Sequence, residues 1–154
     1  MTLIRRSSPS VFTNLDYNDI TEISIGVGDT LADPIILKSW TMTKDPSKLS
    51  QRTLIFNVAI LSEMKRIAGG GNITVAIQYD DGFGGWTGIT AINSSSAIYD
   101  STEVISVLGN STAEETTQFR IVAYNTNGTT SGSIKYVRAY TDIILSPTYT
   151  MVED

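Results

Sequence analysis

The sequence predicts an all-β protein: a single antiparallel β-sandwich, jelly-roll-like, with about eight strands, an extended N-terminal arm and at most one short helix. Three observations lead to this prediction. Apolar residues recur at every second position in several short runs, which is the period of a half-buried strand. Clusters of Gly, Asn, Asp and Pro separate these runs at regular spacing. The 154 residues are 41% hydrophobic and 18% charged, so the chain has enough apolar surface to bury one core.

The N-terminal segment, residues 1–19, is predicted to form the arm, because Pro9 and the serines around it break any regular pattern. Its scattered apolar residues would anchor it on a neighbouring surface, and they include Leu3, Ile4, Val11 and Phe12. The β-sandwich domain is predicted over residues 20–146. A short C-terminal tail follows over residues 147–154, because Pro147 ends regular pairing.

Within the domain, the alternating pattern predicts six strands before the last third of the chain, at residues 20–27, 35–43, 53–61, 73–79, 86–92 and 102–108. Residues 62–68 are the one stretch that favours a helix. Ser62 can cap its first turn, and three glycines from Gly69 onwards can end it.

The strongest pattern spans residues 116–145, where two long alternating runs flank a loop rich in Asn, Gly, Thr and Ser. One face of each run is apolar. This face carries Phe119, Ile121 and Ala123 in the first run and Val137, Ala139, Ile143 and Leu145 in the second. The pattern predicts a half-buried hairpin whose apolar face the rest of the chain covers.

The other face of that predicted hairpin is rich in tyrosine and arginine, two residue types enriched at protein interfaces. It carries Gln118, Arg120, Tyr124, Ile134, Tyr136, Arg138 and Tyr140. We interpret it as a docking surface for another subunit. The alternative is a solvated face with Arg–Tyr pairs across the strands.

The absence of certain residue types restricts the chemistry. The chain has no cysteine and no histidine, which excludes disulfides, thiolate metal sites and any catalytic triad with a histidine base. A pair of carboxylates can hydrolyse glycosides without histidine, but the spacing of the acidic residues selects no pair. We therefore predict that the protein is not an enzyme.

Charge and hydropathy restrict the partners. The net charge is −5, and the longest cationic feature is Arg5–Arg6, so no nucleic-acid partner is expected. No run of about 18 apolar residues exists that would span a membrane as a helix. The first residues lack the apolar core of a signal peptide, so we expect no secretion by that route.

The loop after residue 79 is the best candidate for a ligand site. It holds Asp80, Asp81, Phe83 and Trp86 among several glycines. Adjacent carboxylates can bind Ca²⁺, with Asp29, Asp33 and Asp100 as further ligands if the fold brings them close. An ordinary turn also explains this composition, so no cofactor is predicted. Phe83 and Trp86 can instead stack on the apolar face of a sugar ring.

Over its full length the chain resembles small accessory structural proteins of tailed-phage virions, the head decoration (cement) proteins and small tail components. The resemblance rests on an unprocessed Met1, the absence of Cys and His, the arm through Pro9, and a β-domain rich in Thr, Ser and Asn that closes around Asn127–Gly128. It implies a β-sandwich seated on a capsid surface, often as a trimer, with arms reaching under neighbouring subunits.

The resemblance also implies that residues 1–19 and the tail from Pro147 are the contact segments and that no residue is catalytic. The expected function is that of a non-enzymatic virion protein, assembled in the host cytoplasm, whose partners are other virion proteins and further copies of itself. The alternative is a carbohydrate-binding β-sandwich that acts in receptor or glycan recognition.

Overall fold

The computed structural model describes the backbone of residues 2–6, 12–43, 53–80, 84–100, 103–112, 116–145 and 149–153. Side-chain surroundings are described for residues 17–39, 41, 59–80, 84–100 and 118–140. Every regular element in these ranges is a strand. The strands are β1 (Thr2–Arg6), β2 (Phe12–Asp19), β3 (Ile23–Ile25), β4 (Ile35–Thr43), β5 (Thr53–Ala68), β6 (Ile73–Asp80), β7 (Trp86–Ser94), β8 (Glu103–Thr112), β9 (Thr116–Asn125), β10 (Ser131–Leu145) and β11 (Tyr149–Glu153).

Eight of these strands form two antiparallel four-stranded sheets that pack against each other as a sandwich. The first sheet has the order β2-β10-β5-β8, with the short β3 also paired to β10, and the second has the order β4-β9-β6-β7. β2 pairs with β10, β4 with β9, β5 with β8 and β6 with β7. In chain order, each pair is therefore nested inside the one before it. A long antiparallel ribbon folded over on itself gives this order, so the predicted jelly-roll sandwich is confirmed.

The core lies between the two sheets and is almost entirely aliphatic. Phe119 is its largest fully buried side chain, and its ring centroid lies 6.4 Å from that of Tyr79. The inward residues predicted for β9 and for the described part of β10 are all buried, which confirms the assignment of the apolar faces. The core cluster comprises Ile25, Ile60, Met64, Ile73, Val75, Ile77, Ile92, Phe119, Ile121, Ala123, Ile134, Val137 and Ala139.

The segment predicted as a helix, residues 62–68, is a strand. β5 continues through it and pairs with β10, so its backbone groups bond across the sheet. Ser62 and Met64 are buried, and the Ser62 hydroxyl donates a hydrogen bond of 2.8 Å to the carbonyl oxygen of Tyr136. Pairing and burial together outweigh the weak helix preference of these residues. Within the described ranges, no helix is long and apolar enough to cross a membrane.

The predicted hairpin over residues 116–145 is also wrong. β9 pairs with β4 and β6 in the second sheet, whereas β10 pairs with β2, β3 and β5 in the first. The loop between them therefore crosses from one sheet to the other, and the two apolar faces meet across the core. The two polar faces lie on opposite sides of the sandwich, so they do not form a single surface.

The N-terminal segment divides differently from the prediction. Residues 12–19, assigned to the arm from the sequence, form β2, which pairs with β10 from Asp19↔Val137 to Phe12↔Ile144. The hydrogen bonds of this ladder make them part of the first sheet. The C-terminal tail also contains a strand, β11, and it pairs with β1.

The β1–β11 ribbon is a separate two-stranded sheet, and its pairing register is close to that of the β2–β10 ladder. Phe12 pairs with Ile144 in that ladder, and Arg6, six residues before Phe12, pairs with Tyr149, five residues after Ile144. The antiparallel register therefore continues with an offset of one residue. We refer to β1 and β11 together as the terminal ribbon.

Candidate functional site

The outer surface of the second sheet forms a groove that is lined by residues of all four strands. Cross-strand register places Ser39, Arg120, Gln78 and Gly88 side by side, one from each strand. The adjacent row on one side consists of Ile36, Val122, Ala76 and Ala91. The row on the other side includes Thr41 and Gln118, with Trp86 at its far end.

The groove contains two hollows that share Trp86. The first, the polar hollow, has a volume of about 310 Å³ and is lined by Ile36, Ser39, Thr41, Trp86, Gln118, Phe119 and Arg120. The second, the apolar hollow, has a volume of about 350 Å³ and is lined by Leu31, Ala76, Gln78, Trp86, Gly88, Ile89, Thr90, Ala91 and Tyr124. We call the two together the outer groove. Each is within the size range of small-ligand pockets.

Trp86 and Arg120 are in direct contact at the boundary between the hollows. The guanidinium carbon of Arg120 lies 4.0 Å from the centroid of the Trp86 ring, and Arg120 Nε donates a hydrogen bond of 2.8 Å to Gln78 Oε1. These two contacts hold the guanidinium in a fixed orientation. Burial lowers the pKa of Arg120, although an arginine remains cationic at neutral pH.

A β-bulge in β7 shapes the apolar hollow. Ile77 pairs with Thr90 and Gln78 pairs with Gly88, so Ile89 is an extra residue on this strand. A Cβ atom on Gly88 would meet no other atom within 4 Å. The glycine is therefore not required by packing, and it leaves the hollow open where a side chain would fill it.

Leu31, on the wall of the apolar hollow, follows a turn that Asn125 holds in place. The Asn125 side chain is fully buried, and its Nδ2 donates to the carbonyl oxygens of Gly26 (2.9 Å) and Asp29 (2.8 Å). Its Oδ1 accepts a hydrogen bond of 2.6 Å from the Gly128 amide. On the same wall, burial raises the pKa of Tyr124, which keeps its phenol neutral.

The residues predicted to bind a ligand are only partly within the described ranges. Asp80 ends β6 and is paired in register with Trp86, so the structure brings these two together at one end of the groove. Asp81 and Phe83 lie outside the described residues. In the described part of the chain, no group of three or more acidic side chains is arranged to hold a metal ion.

Two of the other acidic residues named as calcium ligands form local hydrogen bonds. Asp29 Oδ2 accepts a bond of 2.7 Å from the amide of Gly26, and Asp100 Oδ2 accepts a bond of 2.6 Å from the Ser94 hydroxyl. These bonds stabilise the turns in which the carboxylates lie.

The residues predicted for an interface are distributed over three places. Arg120 and Tyr124 border the outer groove on the second sheet. Tyr136, Arg138 and Tyr140 lie on the outer surface of the first sheet, where Arg138 Cζ is 5.9 Å from the Tyr136 ring centroid and Tyr140 is 42% exposed. Of the terminal residues, Leu3 and Ile4 lie in β1 and Phe12 begins β2, whereas Val11 is outside the described residues.

A polar cluster that no sequence pattern predicts lies beside β3. The hydroxyls of Tyr99 and Ser133 both donate hydrogen bonds to Glu22 Oε1. The ammonium groups of Lys65 and Lys135 lie 4.5 and 5.6 Å from the Tyr99 ring centroid. The two hydrogen bonds to Glu22 lower its pKa because they favour the carboxylate. The bond from Tyr99 to Glu22 raises the pKa of Tyr99 because it favours the neutral phenol. The residues are far apart in sequence, so only the pairing of the strands reveals the cluster.

The geometry thus offers two features with functional potential, the outer groove on the second sheet of the sandwich and the terminal ribbon, which forms a two-stranded sheet of its own. Comparison with known proteins gives no protein-family model that matches the chain and no match among curated proteins.

Proposed function

We propose that the protein is a non-enzymatic structural subunit of a virus particle that binds neighbouring protein subunits, as a capsid decoration (cement) protein or a tail component. The terminal ribbon is the observation that carries this proposal. Among the described strands, β1 and β11 pair only with each other. A two-stranded ribbon is at best marginally stable in water, so a third strand or a covering surface is needed to stabilise it.

A neighbouring subunit is the source of that cover. Both outer edges of the ribbon present backbone N–H and C=O groups, which a strand of another chain can bond. The register also pairs apolar residues with each other, Leu3 with Val152 and Ile4 with Met151. This composition favours burial against protein over exposure to water.

The fold and the resemblance to phage accessory proteins agree with this proposal. Jelly rolls form viral capsid domains, but they also form lectin domains, so the fold by itself does not select the function. The resemblance adds the expectation of a trimer within the virion, assembled in the host cytoplasm. The partners are then other virion proteins and copies of this chain.

The test compares the solution mass of the full chain with that of a variant lacking residues 1–11. This truncation removes β1 and keeps all of β2, whereas a deletion through residue 19 would also remove a sheet strand. Light scattering should give a trimer for the full chain and a monomer for the variant, with the same β-type circular dichroism spectrum. A variant that lacks residues 149–154 should behave like the N-terminal truncation, because each removes one half of the ribbon.

Two results would contradict the proposal. A full chain that stays monomeric at millimolar concentration would exclude self-assembly through the ribbon. An N-terminal truncation that assembles like the full chain would show that the contact lies elsewhere, with the Tyr136–Arg138–Tyr140 surface as the next to be tested. The second candidate function, carbohydrate recognition, rests on the outer groove.

A further inference from the structure

We propose that the outer groove is a binding site for a carboxylate-bearing sugar, in which Arg120 binds the carboxylate and Trp86 contacts the apolar face of the sugar ring. This site is on the second sheet and is independent of subunit binding through the terminal ribbon. Four features of the outer groove support this site: the charge of Arg120, the polar groups beside it, the shape of the groove, and a floor that presents side chains only.

The first feature is the positive charge of Arg120. Arg120 contacts Gln78 through Nε and Trp86 through the guanidinium face, and no carboxylate among the described residues pairs with it. Its terminal Nη groups therefore have no partner in the described part of the chain. The guanidinium is partly buried and has no counter-ion in these ranges, so a bound anion can pair with its remaining donors. A planar carboxylate fits the two parallel N–H groups of a guanidinium better than other groups do.

The polar hollow supplies groups that would bind sugar hydroxyls. Ser39 lies beside Arg120 in register, and Thr41 lies beside Gln118. Two hydroxyls and one amide thus line the same hollow as the guanidinium. Each of these groups can both donate and accept hydrogen bonds, as sugar hydroxyls do.

The shape of the groove suits a flat ligand with one apolar face. Trp86 is 36% exposed and forms part of both hollows, and the hydrogen bond from Arg120 to Gln78 holds the guanidinium against the Trp86 ring. The apolar hollow extends the surface with Leu31 and Tyr124, and Gly88 leaves its floor open. Two adjoining hollows of about 310 and 350 Å³ leave room for more than one sugar ring.

A peptide fits this site less well. The groove lies across the middle of a four-stranded sheet, and the two central strands are hydrogen-bonded on both sides. The floor therefore presents side chains only, whereas extended peptides are bound through backbone hydrogen bonds at a sheet edge. The net charge of −5 also disfavours long acidic polymers, so a single carboxylate read by one arginine is the better match.

The experiment measures binding of defined probes to the full chain by ligand-observed NMR and by quenching of tryptophan fluorescence. The probes are a glucuronic-acid disaccharide and sialyllactose, with lactose and acetate as controls that lack either the carboxylate or the sugar. At least one acidic saccharide should bind at least about tenfold more tightly than lactose and acetate. Its affinity should fall as salt is raised, because an exposed charge contact is screened.

Variants assign the binding to the groove. Arg120→Gln and Trp86→Ala should each weaken binding of the acidic saccharide by at least about tenfold, and Arg120→Lys should weaken it because it keeps the charge but loses the fork. Gly88→Leu should block the apolar hollow without disturbing the fold, since its Cβ atom has free space. Arg138→Gln is the matched control, because Arg138 also lies over an aromatic ring but on the opposite sheet.

The outcomes that overturn the proposal are distinct from failure of subunit binding, because they do not involve the oligomeric state. Binding of none of the probes at about 20 mM would reject the site, because any affinity would then be weaker than the millimolar range. Equal affinity for lactose and the acidic saccharides would reject the role of Arg120. Equal losses in the Arg120→Gln and Arg138→Gln variants would place any binding outside the groove.

Discussion

Replacement of Asn125 by alanine should destabilise the protein more than any other exchange of an asparagine for alanine in the described part of the chain. Asn125 is completely buried and connects the turn at residues 26–29 to the loop after β9. Its side chain adds hydrogen bonds to carbonyl oxygens of Gly26 and Asp29 that also accept bonds from the amides of Asp29 and Asn125. The turn precedes Leu31, so the same side chain also positions one wall of the outer groove.

The magnitude follows from the hydrogen bonds that are lost. Asn125 donates two good bonds, to Gly26 and Asp29, and accepts two, from Asn127 and Gly128. At a net value of about 0.5–1.5 kcal/mol each, four bonds are worth about 2–6 kcal/mol. Several of the partners are exposed and can bond to water in the variant, so the lower part of this range applies, about 2–3 kcal/mol.

The assay is equilibrium unfolding in urea, followed by tryptophan fluorescence, at neutral pH. The exposed Asn18 provides the control, because it makes one long hydrogen bond of 3.2 Å, to Arg138. Its replacement by alanine should change the free energy of unfolding by less than about 0.5 kcal/mol. A loss below about 1 kcal/mol in Asn125→Ala would refute the reasoning, because the four bonds would then contribute almost nothing.

A second substitution separates hydrogen bonding from side-chain volume. Asn125→Asp keeps the shape but places a carboxylate oxygen where Nδ2 donates to two carbonyl oxygens. The repulsion raises the pKa of the new carboxyl above that of an unfolded Asp, so the folded state is favoured by protonation and its relative stability increases as pH falls. At pH 7 this variant should be less stable than Asn125→Ala, and the difference should shrink or reverse near pH 4. An Asp variant as stable as the Ala variant at pH 7 would contradict the proposed direction of the bonds.

Two further predictions concern packing and pH. Gly132→Ala should cost at least about 2 kcal/mol in urea unfolding, because a Cβ atom there would overlap the carbonyl oxygen of Lys65, whereas Gly70→Ala, with free space, should be close to neutral. Burial and the hydrogen bond to Asp19 raise the pKa of Tyr17 to about 12, so a difference absorbance titration against Tyr17→Phe should show one phenol ionising near that pH. Because its folded pKa is raised, the contribution of Tyr17 to stability is complete below about pH 10 and is lost as pH rises through about 12. A phenol that ionises near pH 10 would show that this environment is not maintained in solution.

The alternating apolar pattern was sufficient to predict the fold class, most strand positions and the inward faces. Residues such as Ile73, Val75 and Ile77 recur with period 2 and are all fully buried in β6. The pairing of β9 was not predictable in the same way. A strand followed by a turn-rich loop and another strand is the pattern of a hairpin, and the same pattern fits a loop that crosses between sheets. The choice depends on long-range pairing with β4 and β6, which local sequence does not encode.

Bulges account for the errors in assigning faces. Ile134 was placed on an outer face with Tyr136, yet it is fully buried, because Lys135 is an extra residue in β10 that reverses the alternation. The bulge in β4 acts in the same way: strict alternation would place Lys38 on the face of Ile36, whereas the register places Ser39 beside Arg120 in the outer groove. A strict period of 2 cannot locate such insertions.

The candidate site was only half predictable for a related reason. The composition of its loop identified Trp86, and interface statistics identified Arg120, but the two were assigned to different functions. They are 34 positions apart in the chain, and β6 brings them together because it pairs with β7 on one side and β9 on the other. Only the strand order turns an isolated tryptophan and an isolated arginine into a stacked pair.

The two proposed activities use different residues. The terminal ribbon pairs outside both sheets of the sandwich, and the outer groove is lined by residues of the second sheet and by Leu31. Sites without shared partners contribute independently to free energies. A chain truncated before β2 should therefore bind an acidic saccharide with the affinity of the full chain, although it no longer assembles. If truncation changed that affinity by more than about threefold, the two sites would be coupled, and the groove would have to be placed at a subunit boundary instead of on the free surface of one subunit.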